Sequence, residues 1–195
     1  MVDNILVIYA HPNKEGNNGY ILKKVEEEIG SSNYDLIDLY MDGFNPVLSN
    51  DELYTHGNKK ISKGIEDYQK RFERADKLIL IYPVWWNGAP AILKGFFDKL
   101  LTPGFGYYFK PIILKQGIPI KLFKEKKAVV FLTTTSNKLL YTLYSGRRPH
   151  RQAKKDLLGF LGIKTRVIHI DKCVSGINRD KIAKKVRKGV KKIKI

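Results

Sequence analysis

Three groups of residues suited to ligand binding each follow a short apolar run in the sequence. His11, Asn17 and Asn18 follow the first run, the turn from Pro83 to Asn87 follows another, and the segment from Thr133 to Thr135 follows a later one. Asparagine side chains and the free N–H groups of a helix start can hold one phosphate group. His11 can add a hydrogen bond or positive charge, or it can be a loop histidine bonded to a backbone carbonyl. These residue types indicate anion binding, hydrogen bonding and aromatic contact.

The turn after the third predicted strand contains both tryptophans of the protein, Trp85 and Trp86. Two adjacent tryptophans cannot easily both face a hydrophobic core, and a large ring left in water usually serves a purpose. We interpret the turn as a flat wall for a planar ligand. The alternative is that the two rings only cap the core.

Alternating strand and helix patterns predict the elements that position these groups. Continuous apolar runs at 4–9, 78–82 and 128–132 predict strands buried on both faces, and segments 34–40 and 165–170 predict two more. Helical spacing of apolar residues connects them, so strand and helix alternate five times. This pattern predicts an α/β fold with a doubly wound five-stranded parallel sheet. Ligands bind such sheets at the carboxyl ends of the strands, where all three groups lie.

Several helix and loop assignments follow from the same patterns. Asn17 or Asn18 is expected to cap the first helix, while 61–74 and 153–161 are expected to form later helices. The segment 105–123 is rich in Gly, Pro and Tyr, and it is predicted to be an insertion of loops.

The overall composition limits the class of protein. A chain of 195 residues with 43% hydrophobic and 28% charged residues is expected to form one domain, residues 1–195. No apolar run approaches the roughly 20 residues of a membrane span, and the N-terminus lacks the pattern of a signal peptide. The single cysteine, Cys173, excludes an internal disulfide and a cysteine-based metal cage. We therefore expect a cytoplasmic protein without a metal site.

The net charge of +17 allows more than one interpretation. Such an excess of lysine can bind nucleic acid or attract anionic ligands such as dinucleotides. It can also be a solvated lysine-rich surface. The lysines follow the polar faces of predicted helices and do not collect in one patch with aromatic residues. We therefore favour the solvated surface and expect no nucleic-acid partner.

The sequence lacks two common phosphate-binding motifs. No G-x-G-x-x-G follows the first apolar run, and no Walker motif is present. Their absence argues against a Rossmann dinucleotide clamp and against a P-loop NTPase.

Three longer motifs identify a family resemblance. They are I-Y-A-H-P at the end of the first run, Y-P-V-W-W-N-G-A-P-A-I-L-K-G-F-F-D-K-L-L-T-P-G-F-G-Y from Tyr82, and T-T-T before Tyr141. With these motifs the chain resembles the flavodoxin-like NAD(P)H:quinone oxidoreductases. That group includes DT-diaphorase and bacterial flavin reductases of the modulator-of-drug-activity kind.

The resemblance implies a fold, a reaction and an assembly. It implies the strand order 2-1-3-4-5, bound FMN with FAD as a possibility, and NAD(P)H as co-substrate. The expected reaction is the two-electron, ping-pong reduction of quinones or similar acceptors by a homodimer with its site at the subunit interface. An FMN-dependent azoreductase is an alternative, as is a non-enzymatic flavin-binding electron carrier or regulatory subunit.

The resemblance also implies roles for individual residues. Those expected to bind the flavin phosphate are His11, Asn17 and Asn18. Those expected to line the isoalloxazine, largely through backbone groups, are Pro83, Val84, Trp85, Trp86 and Asn87. Those expected to hold its other edge are Thr133, Thr134 and Thr135. Tyr141 matches the family's catalytic tyrosine, and Gly104 to Tyr108 would cover the acceptor pocket.

The chain departs from the family pattern at some positions. Gly16 stands where relatives usually carry serine, and Thr135-Ser136 replaces a glycine pair. The family's histidine beyond the tyrosine has no clear match. Arg147 lies near that spacing and His150 is an approximate substitute, so the proton donor is unassigned.

The remaining candidate residues receive simpler interpretations. His56 and His169 show no metal-ligand spacing and are expected to be structural or solvated. Cys173 is expected to be an unreactive thiol. Arg147 and Arg148 are either a solvated helix entrance or a site for the 2′-phosphate of NADPH.

Overall fold

A computed structural model describes residues 4–53, 61, 63–111, 117–174 and 178–193 of the chain. His56 lies outside these residues, so its expected role stays a prediction. None of the helices formed by the described residues is long and apolar enough to cross a membrane.

The described residues form seven strands in two sheets. The strands are β1 (Ile5–Tyr9), β2 (Tyr34–Asp38), β3 (Lys77–Pro83), β4 (Tyr107–Pro111), β5 (Gly117–Lys121), β6 (Lys127–Thr133) and β7 (Lys164–Ile170). Five of them form a parallel sheet in the order β2-β1-β3-β6-β7. This order confirms the predicted flavodoxin-like arrangement, because β4 and β5 form a separate antiparallel pair inserted between the third and fourth strands of the main sheet.

Helices cover both faces of the parallel sheet. They are α1 (Asn17–Ile29), α2 (Lys63–Arg74), α3 (Ala91–Leu100), α4 (Lys138–Ser145), α5 (Arg148–Arg151) and α6 (Arg179–Lys191). A turn of π-helix, Gln152–Leu157, follows α5, and a 3₁₀ turn spans Asn50–Glu52.

The central strands are buried on both sides, as their continuous apolar runs predict. In β1, Leu6 and Ile8 pack into a core with α2 and α3, while Ile5, Val7 and Tyr9 pack into a second core with α1 and α6. At Gly189 in α6, a Cβ atom would lie 2.7 Å from the Phe131 ring, so glycine allows this helix to rest closely on β6. Two cores therefore hold the carboxyl ends of the strands in a fixed register.

Three local expectations were wrong. The segment 105–123 was expected to be all loop, but its hydrogen-bonding groups pair as the β4–β5 hairpin. The predicted helix over 153–161 begins earlier, since Pro149 at the start of α5 opens a helical stretch that continues as the π-helical turn. At α1 the residue in the N-cap position is Gly16, so neither Asn17 nor Asn18 caps the helix.

Candidate ligand-binding site

A cavity of about 470 Å³ lies at the carboxyl ends of β1, β3 and β6. The site residues predicted from sequence that line it are His11, Asn17, Asn18, Pro83, Val84, Trp85, Thr133, Thr134 and Thr135. The structure thus brings together all three groups that follow the apolar runs. Trp86, Asn87 and Tyr141 are not among the residues that line this cavity.

The start of α1 forms one end of the cavity with its backbone N–H groups free of a side-chain cap. Gly16 holds the N-cap position in an extended conformation, makes no side-chain cap bond, and no acidic residue lies in the first turn. At Gly19 a Cβ atom would lie 1.7 Å from the Lys14 carbonyl oxygen. The loop before α1 therefore packs directly against the first turn of the helix. Arg179, at the start of α6, also lines the cavity. Free N–H groups, the helix dipole and this guanidinium favour an anion.

One ring nitrogen of His11 is hydrogen-bonded within the protein, and the other can contact a ligand. Its Nδ1 lies 2.8 Å from the Asn13 carbonyl oxygen, as expected for a structural loop histidine. Its ring centre lies 6.0 Å from that of Trp85. With Nδ1 engaged, Nε2 is the nitrogen that His11 can offer to a ligand.

The Trp turn separates its two tryptophans. Trp85 and Gly88 exchange backbone hydrogen bonds of 3.0 and 2.9 Å, which leaves Trp86 and Asn87 at the tip with φ angles of 49° and 61°. Trp85 is 41% exposed and lines the cavity, whereas Trp86 is 103% exposed. A flat wall is therefore formed by Trp85 alone, and Trp86 lies in solvent.

Most polar groups of Thr133 and Thr134 are hydrogen-bonded within the protein. Thr133 Oγ1 donates to Asn18 Oδ1 at 3.2 Å, and the Thr133 carbonyl accepts from the Val84 N–H at 2.8 Å. These bonds join the ends of β6, β3 and α1. Thr135 is exposed and lines the cavity. Of the three threonines, Thr135 is therefore the one best able to offer its polar groups to a ligand.

Thr134 is fixed by bonds at each of its polar atoms. Its N–H donates to the Ile170 carbonyl at 3.1 Å, and its carbonyl accepts from the Cys173 N–H at 2.8 Å. Its Oγ1 donates to the Ser136 carbonyl at 3.0 Å and lies 2.8 Å from His169 Nε2. Thr134 therefore shapes the cavity wall without a spare donor for a ligand.

A cluster of three rings lies beside this wall. Tyr141 Oη is 3.3 Å from His150 Nδ1, and the His169 ring centre is 4.6 Å from that of Tyr141 and 5.2 Å from that of His150. Burial raises the pKa of Tyr141 to about 12. Burial, together with nearby positive charge, lowers the pKa of each histidine to about 4. All three side chains are therefore neutral at physiological pH.

Sequence reasoning missed several residues at this site. His169, expected to be structural or solvated, contacts both Thr134 and Tyr141, and the sequence does not show that these residues meet. Cys173 and Val174 line the cavity because they follow the edge strand β7, a position that the rule of carboxyl strand ends could have identified. Burial raises the pKa of the Cys173 thiol to about 11, so this thiol is protonated and unreactive, as expected.

The chain is similar to known proteins over most of its length. Residues 3–193 match a family described by its flavodoxin-like fold. An uncharacterised NAD(P)H oxidoreductase from Haemophilus influenzae is 37% identical over 137 residues, which are 69% of this chain and 65% of that protein. NAD(P)H dehydrogenase [quinone] 1 from Cavia porcellus is 29% identical over 157 residues, 71% of this chain and 55% of that protein.

A solved structure agrees with these matches over nearly the whole chain. Smu.1420 from Streptococcus mutans is 29% identical and has a TM-score of 0.82, covering 97% of this chain and 100% of that one. The two curated relatives are longer, since the matches span only 65% and 55% of their lengths. The sheet order, the two cores and the family match agree, and the chain belongs to the family of proteins with the flavodoxin-like fold.

Proposed function

We propose that this protein is a flavin-dependent NAD(P)H oxidoreductase that reduces quinones or similar acceptors. The observation that carries the proposal is a cavity at which an uncapped helix start, an aromatic wall and an exposed threonine meet. The names of the relatives, an NAD(P)H oxidoreductase and an NAD(P)H dehydrogenase [quinone], support the same activity. Because the chain spans only part of those relatives, the activity is a proposal for this protein.

The residues of the cavity fit a flavin mononucleotide. The N–H groups at the start of α1 and the Arg179 guanidinium suit its phosphate, since Gly16 leaves the helix without a side-chain cap. Trp85 and the backbone of Pro83 and Val84 would lie along the ring system. Thr135 would hold the far edge. A single uncapped helix start at the cavity favours FMN over FAD.

The bound flavin would supply the redox chemistry, taking two electrons from NAD(P)H and passing them to the acceptor. The protein's part is to hold the ring, exclude water and provide a proton. Tyr141 is the proposed catalytic residue, because its hydroxyl keeps its proton at neutral pH and its ring belongs to the cluster beside the cavity wall. His150 Nδ1 lies 3.3 Å from that hydroxyl oxygen and would help to orient it.

Exposed apolar side chains support a homodimer. Helix α4 presents a surface, here called the α4 surface, made of Leu139, Leu140, Leu143 and Tyr144, which are 69%, 44%, 70% and 86% exposed. Such a surface on one short helix is typical of an interface. We propose that a second copy of the chain covers it.

We also propose that the chain forms a single domain and that the protein is cytoplasmic. Its lone cysteine, which is free, supports the cytoplasmic location.

The visible spectrum of the purified protein tests the cofactor, followed by release and chromatography of the flavin. We expect a yellow protein that yields FMN and oxidises NADH or NADPH only when a quinone is supplied. Comparison of quinone and azo-dye reduction by the same preparation separates the quinone reductase from an azoreductase. A protein that stays colourless after incubation with FMN and FAD would contradict the proposal.

A further inference from the structure

His169 occupies a position from which it reaches two parts of the site. It lies beside Leu132 in the register of β6 and β7, and it therefore faces the layer that contains α4 and α5. Lys185 Nζ in α6 donates to the His169 carbonyl oxygen at 2.9 Å and to Asp171 Oδ1 at 3.0 Å. The backbone of His169 is thus anchored independently of its ring.

The hydrogen bonds of Thr134 fix which nitrogen of His169 carries the hydrogen. A threonine hydroxyl has one hydrogen to donate, and Thr134 Oγ1 donates it to the Ser136 carbonyl. The 2.8 Å contact between Thr134 Oγ1 and His169 Nε2 is then a bond donated by Nε2–H. This donation completes the set of bonds that holds the wall from Thr133 to Ser136.

The second nitrogen of His169 is buried and has no hydrogen-bond partner within the described part of the chain. Leaving a buried polar atom unpaired costs free energy. The cost is lower for a bare ring nitrogen than for an unpaired N–H, which agrees with the assignment of the hydrogen to Nε2. Contacts of the His169 ring offset this cost. The ring packs against Tyr141 and His150, with ring-centre distances of 4.6 and 5.2 Å.

We infer that His169 is a positioning residue of the candidate flavin site, with two separable functions. Its Nε2–H holds Thr134 and so fixes the cavity wall that meets the flavin. Its flat ring holds Tyr141 and His150 in the orientation in which their polar atoms meet. The inference rests on the proposed function for the identity of the ligand, but the bond to Thr134 is a property of the protein alone.

Two substitutions separate the functions. His169→Phe keeps a flat ring and removes the bond to Thr134. The dissociation constant for FMN should then rise about fivefold, because FMN must order the loosened wall again, at a cost of about one neutral hydrogen bond. His169→Gln keeps a donor near the position of Nε2 and removes the ring. It should bind FMN within about twofold of wild type, while kcat for quinone reduction falls about tenfold because Tyr141 is no longer held.

Ile168→Ala is the matched control, since Ile168 precedes His169 on β7 and packs against the other core. It should lower the melting temperature without changing either FMN binding or kcat. FMN binding is measured by fluorescence titration of the flavin-free protein. If His169→Phe binds FMN like wild type, or if Ile168→Ala loses as much affinity as His169→Phe, the inference is wrong.

Nitrogen NMR of the flavin-free protein gives a readout that does not depend on the proposed function. We expect the His169 ring to be neutral, with its hydrogen on Nε2. A ring with its hydrogen on Nδ1 would overturn the inference even if the protein binds FMN. A protein that shows the expected tautomer but binds no flavin would contradict the proposed function and leave the bond to Thr134 established.

Discussion

The imidazoles of His150 and His169 should make the protein lose stability in mild acid. Both have a pKa of about 4 in the folded protein, mainly because of burial, against about 6.5 in an unfolded chain. A group with a depressed folded pKa takes up its proton on unfolding, so acid favours the unfolded state. The contribution of the two neutral imidazoles to the free energy of unfolding is fully present above about pH 6.5, and it is lost as the pH falls towards about 4.

The size of the effect follows from the difference between the folded and unfolded pKa values. Between about pH 7 and about pH 5, linkage gives about 1.8 kcal/mol per histidine for these pKa values. Both side chains are only partly buried, so solvent screening reduces the free energy by about half, to about 2 kcal/mol for the pair. At about 2–4 °C per kcal/mol for a domain of this size, the melting temperature should fall by about 4–8 °C.

Thermal melts of the flavin-free protein at the two pH values provide the assay. The reference is the double variant His150→Gln/His169→Gln, whose amides do not titrate while every carboxylate is retained. Wild type should lose about 4–8 °C more than the double variant between the two pH values, whatever their difference at neutral pH. Equal losses would show that the imidazoles titrate normally in the fold, and the reasoning from burial would be refuted.

Three further predictions concern the start of α1 at the cavity, the co-substrate and the dimer. Gly19→Ala should weaken FMN binding about tenfold, because the new Cβ would lie 1.7 Å from the Lys14 carbonyl oxygen. Gly64→Ala, where a Cβ would meet nothing within 4 Å, should bind FMN normally in the same titration. Replacing exposed Arg147 and Arg148 with Ala should lower kcat/KM for NADPH about tenfold more than for NADH, and equal losses would exclude a contact with the 2′-phosphate. Leu143→Asp should give a monomer in sedimentation velocity, whereas Met41→Asp, at a similarly exposed residue outside the α4 surface, should leave the dimer intact. A dimeric Leu143→Asp protein would place the interface elsewhere.

Much of the fold follows from the sequence because its strongest signals are local. A central parallel strand is buried on both faces, so β1, β3 and β6 appear as continuous apolar runs. The β4–β5 hairpin could not be found in this way. Its second strand, Gly117–Lys121, contains Pro119, and a proline within a short run argues against a strand unless the run lies at an edge.

The candidate site shows the same division between local and long-range information. The cavity-lining groups were predictable because each directly follows a strand, and the carboxyl ends of parallel strands share one edge. The contact of Tyr141 with His150 depends on two consecutive left-handed residues, Gly146 and Arg147, which turn the chain back between α4 and α5. The contact with His169 depends on the pairing of β6 with β7. Neither feature has a signature in the spacing of these residues.

The turn that carries both tryptophans provides the protein with two distinct optical probes. Trp85 lies at the cavity and should be quenched by energy transfer when a yellow cofactor binds beside it. Trp86 lies wholly in water and should emit at long wavelength unless another molecule covers it. Trp85→Phe and Trp86→Phe would each leave a single emitter, so occupancy of the cavity and burial of the turn's tip could be followed separately in unlabelled protein.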